Sequence, residues 1–282
     1  MLKFGNTYLN YNGTYFDGWK MYIDPNPLNL PPNTVRVRTN DGLKPYKNYA
    51  PQTRYKTATL VSGTTDVYDV YLSGDNFNQL LYSSYNVVEV LGANTTNITS
   101  MGSMFEACYL LSSVSLFDTS NVTDMSYMFG VTESANYSLS SIPLFDTSNV
   151  TSMESMFVGN EALTSVPLFN TSKVTNMRDM LGSCGALSSV PLFDTSNVTY
   201  MDYFLYGGTS LTSIPLFNTS KVKSMDNAFS WCYNVQSGAL ALYQQASTQA
   251  IPPVNHTYTF RRCGVSSEQG SAEYAQIPQG WK

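Results

Sequence analysis

Phe117-Asp118-Thr119-Ser120-Asn121-Val122-Thr123 recurs as Phe145 to Thr151, Phe169 to Thr175 and Phe193 to Thr199, and a last copy, Phe217 to Val222, ends in Lys223. The phenylalanines stand 28, 24, 24 and 24 residues apart, and a degenerate earlier copy, Thr96 to Met101, places Ile98 24 residues before Val122. The extra residues of the long interval fall within Gly130 to Ser138. Self-similarity at a fixed period of this length marks stacked repeats, each too small to bury its own apolar face.

In the unit from Leu163, the apolar positions are Leu163, Val166, Leu168 and Phe169, then Val174, Met177, Met180 and Leu181. Alternation of Val166 and Leu168 predicts a short strand. The spacing of Met177, Met180 and Leu181 predicts one face of a short helix, with Thr171 and Ser172 placed to cap it. The expected fold is an α/β solenoid of 24-residue strand–turn–short-helix units. Its core carries one methionine column, Met101, Met125, Met153, Met177, Met201 and Met225, and a second, Met104, Met128, Met156 and Met180, continued by Phe204 and Ala228. Methionine serves there as an adaptable filler. Pro143, Pro167, Pro191 and Pro215 share a column, with Ser115 in the first unit. Proline cannot donate to a ladder, so the ladder is shorter than the strand pattern suggests, or runs through Asn-Val-Thr instead.

Composition narrows function. The 282 residues carry 15 basic and 20 acidic side chains, one histidine, 21 tyrosines and a net charge of −5. No basic stripe suggests nucleic acid, no apolar run reaches the ~18 residues of a membrane span, and His256 alone leaves little scope for histidine chemistry or a His-rich metal site. The start, Met1 to Tyr8, has no apolar segment and does not read as a secretory signal. Cys108, Cys184, Cys232 and Cys263, spaced 76, 48 and 31 apart, fit no zinc motif and read as free buried thiols. The recurring triplets at Asn121, Asn149, Asn170, Asn197 and Asn218 read as turn hydrogen bonds rather than glycosylation sites. From Asp146 onward the units alternate in charge, through Lys173, Asp194 and Lys221. If this offsets like-charge stacking between neighbours, Lys173→Asp lowers the melting temperature.

The phrase Phe-Asp-Thr-Ser-Asn-Val-Thr-x-Met-x-x-Met-Phe, followed by Leu-x-Ser-Val/Ile-Pro-Leu, resembles the BspA-like leucine-rich repeat family, also known as the mycoplasma-type lipoprotein repeat, over about residues 93 to 236. The resemblance implies a leucine-rich-repeat-like solenoid and a role in surface contact and adhesion. The proline column departs from the usual strand. The flanks, Thr34 to Thr96, Ser237 to Ser247 and Ile277 to Lys282, look like repeat proteins of phages and prophages of gut Bacteroidales.

The expected organisation is an N-terminal attachment segment and Pro-rich linker over 1–33, a small β domain capping the repeats over 34–92, the solenoid over 93–236 and a C-terminal helical cap over 237–282. Strands are expected at Thr57 to Val61 and Asp66 to Leu72, and helices at Asn76 to Tyr82, Ala239 to Ala246 and Ser271 to Gln276. Variable positions between the core residues form the candidate binding face: Tyr127, Glu154, Arg178, Asp179, Tyr200, Tyr203, Tyr206, Trp231 and Tyr233. Tyrosine and tryptophan among Ser, Gly and Asn make adaptable contacts.

A glycan-degrading enzyme is the competing class. Stacked Asp118 and Asp146 could stand ~5 Å apart, as in retaining glycosidases, but this Asx recurs in every copy, which is turn chemistry. The reading is a non-enzymatic protein without metal or cofactor. It is expected on a phage virion or, alternatively, as a bacterial cell-surface adhesin. Residues 1–33 would meet other virion proteins and the repeats a host surface protein or glycan; homo-oligomer formation is left open.

Overall fold

The computed structural model describes residues 14–17, 20–23, 28–43, 45, 57–71, 77–131, 138–264 and 272–282. Strands β1 (Thr14–Asp17) and β2 (Lys20–Ile23) form an antiparallel hairpin, in keeping with the extended or hairpin reading of this segment. A five-stranded open sheet follows, from β3 (Thr34–Thr39), β4 (Thr57–Leu60), β5 (Val67–Tyr71), β6 (Val87–Asn94) and β7 (Ser113–Val114). The order is β4-β5-β3-β6-β7, antiparallel throughout except for the parallel β6–β7 pair. Strand β3 shows why it sits centrally. Val35 and Val37 are fully buried, while Arg36 pairs with Asp69 at 2.6 Å and Arg38 with Asp66 and Glu89 at 2.9 Å.

The expected α/β solenoid of strand–turn–short-helix units with a helical cap does not form. Between residues 115 and 238 the described chain holds neither helix nor strand beyond single bridges. It runs through turns that lie over one another. The parallel bridges Ser100↔Asp124, Asp124↔Ser152, Ser152↔Asn176, Asn176↔Tyr200 and Tyr200↔Ser224 tie successive units.

Residues 177–184 show what replaces the helix. The N–H groups of Met177, Asp179, Leu181 and Ser183 donate to the carbonyls of Tyr200, Asp202, Phe204 and Tyr206 in the next unit, at 2.6–3.0 Å. Those of Met180, Gly182 and Cys184 donate three residues back, to Met177, Asp179 and Leu181. An α-helix would keep all of these bonds within itself. Here alternate donors face the neighbour, and each turn closes through a left-handed residue, Asp179 (φ 54) and Ser183 (φ 57). Eight residues are also too few to hold a helix unaided. Consecutive four-residue turns still bring Met177, Met180, Leu181 and Cys184 inside, all fully buried. The helical spacing and the spacing of such turns are therefore the same.

The turn rungs extend beyond the recognised repeat. Phe77, Gln79, Leu81 and Ser83 donate to Ser100, Gly102, Met104 and Glu106, so the helix expected at Asn76 to Tyr82 is a turn rung over its described part. At the other end Met225, Asn227, Phe229 and Trp231 donate to Asn255, Thr257, Thr259 and Arg261. Helices α1 (Ala239–Thr248) and α2 (Ala272–Gln276) lie where the sequence places them. They do not form the expected helical cap over the turn strip of the last repeat. Residues 255–263 cover the last repeat as one more rung, and Phe260 N–H is taken by Trp281 O at 2.8 Å.

The other side of each unit follows the proline argument. Phe145, Phe169, Phe193 and Phe217 donate to the carbonyl of the proline two residues before, and the register is carried instead by Thr151, Thr175 and Thr199 N–H, each bonded to the equivalent threonine carbonyl of the preceding unit. Thr171 Oγ1 donates to Asp194 O at 2.8 Å rather than capping a helix. The amides of Asn121, Asn149 and Asn197 donate to Thr96 O, Ser120 O and Ser172 O of the preceding unit, so these three tie neighbouring units rather than close a turn, whereas Asn170 and Asn218 make the expected turn bond. Lys173 and Lys221 donate to Asn149 and Asn197 at 2.6 Å, and no ion pair links neighbouring units through them among the described residues. The melting-temperature loss expected for Lys173→Asp therefore has no ion pair beneath it, only the Lys173 bond to Asn149.

Both methionine columns are buried, and Phe105, Phe129 and Phe157 stack at 5.4 and 5.8 Å between ring centroids. Glycine is required at Gly159 (φ 77), where a Cβ would stand 2.0 Å from Val131 O. Leu168, assigned to the core by pattern, is 61% exposed. Phe157→Ala should cost about 3–5 kcal/mol and Leu168→Ala less than about 0.5 kcal/mol in urea unfolding of dilute protein. Equal losses would contradict this division of inside from outside.

Candidate binding face

Each rung exposes the residues between its buried ones, so equivalent positions form columns across the stack. Tyr127 (φ 58), Asp179 (φ 54), Tyr203 (φ 58) and Tyr258 (φ 56) occupy the first left-handed position of their rungs. The second holds Ala107, Gly159, Ser183 and Gly207, then Trp231 (φ 65) and Arg262 (φ 54). A left-handed backbone favours glycine and tolerates small polar residues. The large side chains at the C-terminal end of this column are therefore held against local preference.

Arg178 donates from Nε and Nη2 to Asp202 Oδ2 at 3.0 and 2.7 Å, and its guanidinium lies 5.3 Å from the centre of the Tyr200 ring. Asp202 is buried and also accepts from Ser224 Oγ. Glu154 accepts from Asn176 Nδ2 at 2.9 Å. Tyr203 meets Tyr206 edge-on at 5.6 Å, and Trp231 meets Tyr233 at 5.8 Å. Tyr200 and Tyr203 are both 42% exposed, and Tyr206, Trp231 and Tyr233 are half-buried. The nine sequence-selected residues thus share one run of columns. Tyr127 lies three rungs from Tyr203 and joins none of these pairs.

Sequence reading missed the last rung. Arg261 lies over Tyr258 at 4.9 Å and over Trp231 at 5.7 Å, and Arg262 lies over Trp231 at 4.8 Å. Neither arginine makes an ion pair among the described residues. The 31-residue step from Trp231 and Cys232 to Arg262 and Cys263 hid this rung, since it breaks the 24-residue period. The shared Cys column, Cys232 and Cys263, was the available signal.

Asp118, Asp146 and Asp194 use Oδ1 to accept the N–H of the serine two residues on, at 2.9 Å, and Asn170 and Asn218 do the same at 3.2 and 2.9 Å. This is the turn chemistry expected of the Asx column. All four cysteines are free and buried, and burial pushes the Cys108 and Cys232 thiols up to about 12. His256 stacks on Trp281 at 4.2 Å. Among the described residues no His, Cys, Asp and Glu group could hold a metal ion, and no helix is long and apolar enough to cross a membrane.

This is a repeat protein whose inward columns are fixed and whose outward columns vary. The family described as "Mycoplasma protein of unknown function, DUF285" matches residues 75–189 and 135–243. The chain belongs to that family, the BspA-like repeat proteins. No curated protein and no solved structure matches it.

Asp179 carries the shifted carboxyl of this face. Burial, and then the negative charge of Glu154, push it up to about 7. The folded state therefore favours the protonated acid, and the carboxyl costs stability progressively as pH rises from the ordinary aspartate range through 7. Asp179→Asn keeps a residue that accepts the left-handed turn. Its stabilising effect should be larger at pH 8 than at pH 5 by on the order of 2 kcal/mol in urea unfolding. A pH-independent effect would reject the shift.

Proposed function

We propose that this chain is a non-enzymatic binding protein that contacts a host surface protein or glycan through the outward columns of its rungs. The observation that carries this reading is the pair of left-handed columns. They place Tyr127, Tyr203, Tyr258, Trp231 and Arg262 where the turns themselves favour Gly, Ser or Asn. Core packing does not account for those side chains, whereas rigid aromatic rings with guanidinium groups beside them suit an adaptable contact surface. The columns of Glu154, Arg178, Asp179, Tyr200, Tyr206 and Tyr233 complete the face.

The setting proposed is a phage particle, with the N-terminal segment against other virion proteins. The likeness of the flanking segments to prophage repeat proteins supports it. A bacterial cell-surface adhesin is the second reading, supported by the family's association with surface contact. No cofactor enters either.

Peptide mass spectrometry of purified virions, set against the host envelope fraction, separates the two. Enrichment in particles is expected, and detection only in the envelope rejects the virion. For the face itself, Trp231→Ala should lower retention on intact host cells by about tenfold or more at a temperature where both proteins remain folded. Unchanged retention would remove the aromatic end from the contact.

A further inference from the structure

Leucine follows the proline in four successive units, and there the side chain turns outward. Leu144, Leu168, Leu192 and Leu216 are 50, 61, 61 and 52% exposed, although each is followed directly by a buried phenylalanine. Leu116, the equivalent residue of the first unit, packs partly against the core instead. Single exposed leucines are ordinary. Four at one position of successive rungs make a continuous apolar ridge, which is the kind of patch that marks an interface. The neighbouring prolines offer no N–H, so the ridge is not a sheet edge waiting for a strand.

The charges beside the ridge say what fits it. Two residues after the leucine stand Asp146, Asn170, Asp194 and Asn218, and three further on Asn149, Lys173, Asn197 and Lys221. The four rungs therefore read minus, plus, minus, plus. Asp146 and Asp194 each engage one oxygen in a turn, and both lysines reach only asparagine oxygens. None of the four charges makes an ion pair among the described residues. A second copy laid parallel and in register would set like charge on like. A two-fold axis between the second and third rungs reverses the order and sets every charge against its opposite.

We propose that the leucine ridge is a two-fold interface between two antiparallel copies of this chain, with Lys173 facing Asp194 of the partner subunit and Asp146 facing Lys221 of the partner subunit. The interface uses columns separate from the aromatic face and does not depend on the function proposed for it. A two-fold contact closes on itself, so assembly stops at the dimer. The leucines supply only part of the roughly 800 Å² per partner of a standard interface, so a dissociation constant on the order of micromolar is expected.

Sedimentation velocity of the full chain from about 1 to about 100 µM should show the mass rising from one chain to two. Leu168→Ser and Leu192→Ser, on exposed side chains, should each weaken association about tenfold or more at an unchanged melting temperature. Lys173→Asp and Asp194→Lys should each weaken it similarly, and the double swap should return to within about threefold of the natural chain. Monomer throughout overturns the proposal, whether or not the ridge then binds lipid vesicles or another protein. So does a dimer indifferent to the leucines, assembly beyond two chains, or a double swap no better than the single ones.

Discussion

Alternate backbone N–H groups of each rung belong to the next rung. This division of donors holds the repeats together, because a four-residue turn satisfies only half of its own amides. The remainder need carbonyls on a neighbouring backbone about 4.8 Å away, and an identical turn displaced by one unit supplies them. Left-handed residues, the inward methionine and phenylalanine columns and the outward variable columns all follow from repeating that turn in register. No rung could keep its shape alone, so the stack is stabilised as neighbours rather than as separate units.

Several side chains complete the same accounting at the corners. Thr119, Thr147, Thr171 and Thr195 hydroxyls donate to the Asx carbonyl of the following unit. The series ends at Thr219, which donates to Gln249 Oε1, while Gln245 and Gln249 amides serve Phe217 O and Thr219 O. Helix α1 thus supplies from its side chains what a further repeat would have supplied from its backbone. Cys108, Cys184 and Cys232 thiols donate to Leu81 O, Phe157 O and Leu205 O, and Asn160 donates to Phe129 O from the same column. The cysteines are small buried donors here.

The repeat, its period, the methionine core, the proline break in the ladder, most of the sheet and both C-terminal helices were legible in the sequence. The local form of the repeat was not. Met177, Met180, Leu181 and Cys184 fall on one face of a helix and equally on the inner edge of two successive turns, so periodicity cannot separate them. Leu168 misled for the same reason, since alternation with Val166 holds only while the strand continues, and Pro167 ends it. The candidate face was legible where it lay inside the 24-residue period. Tyr258, Arg261 and Arg262 fell outside it because α1 lengthens the step before them.

That step and the long interval within Gly130 to Ser138 share one consequence. Intervals of 24, 28 and 31 residues all preserve the ladder, because the extra residues enter between the contacts that are in register: the turn strip, the threonine corner, and arm bonds such as Thr164 N–H to Ser140 O, Thr212 N–H to Ser188 O and Gln236 N–H to Thr212 O. The joints between those contacts are spacers whose length the ladder does not read. New sequence can therefore enter these joints without a compensating change elsewhere, and a lineage can enlarge or exchange its surface while the core is inherited intact.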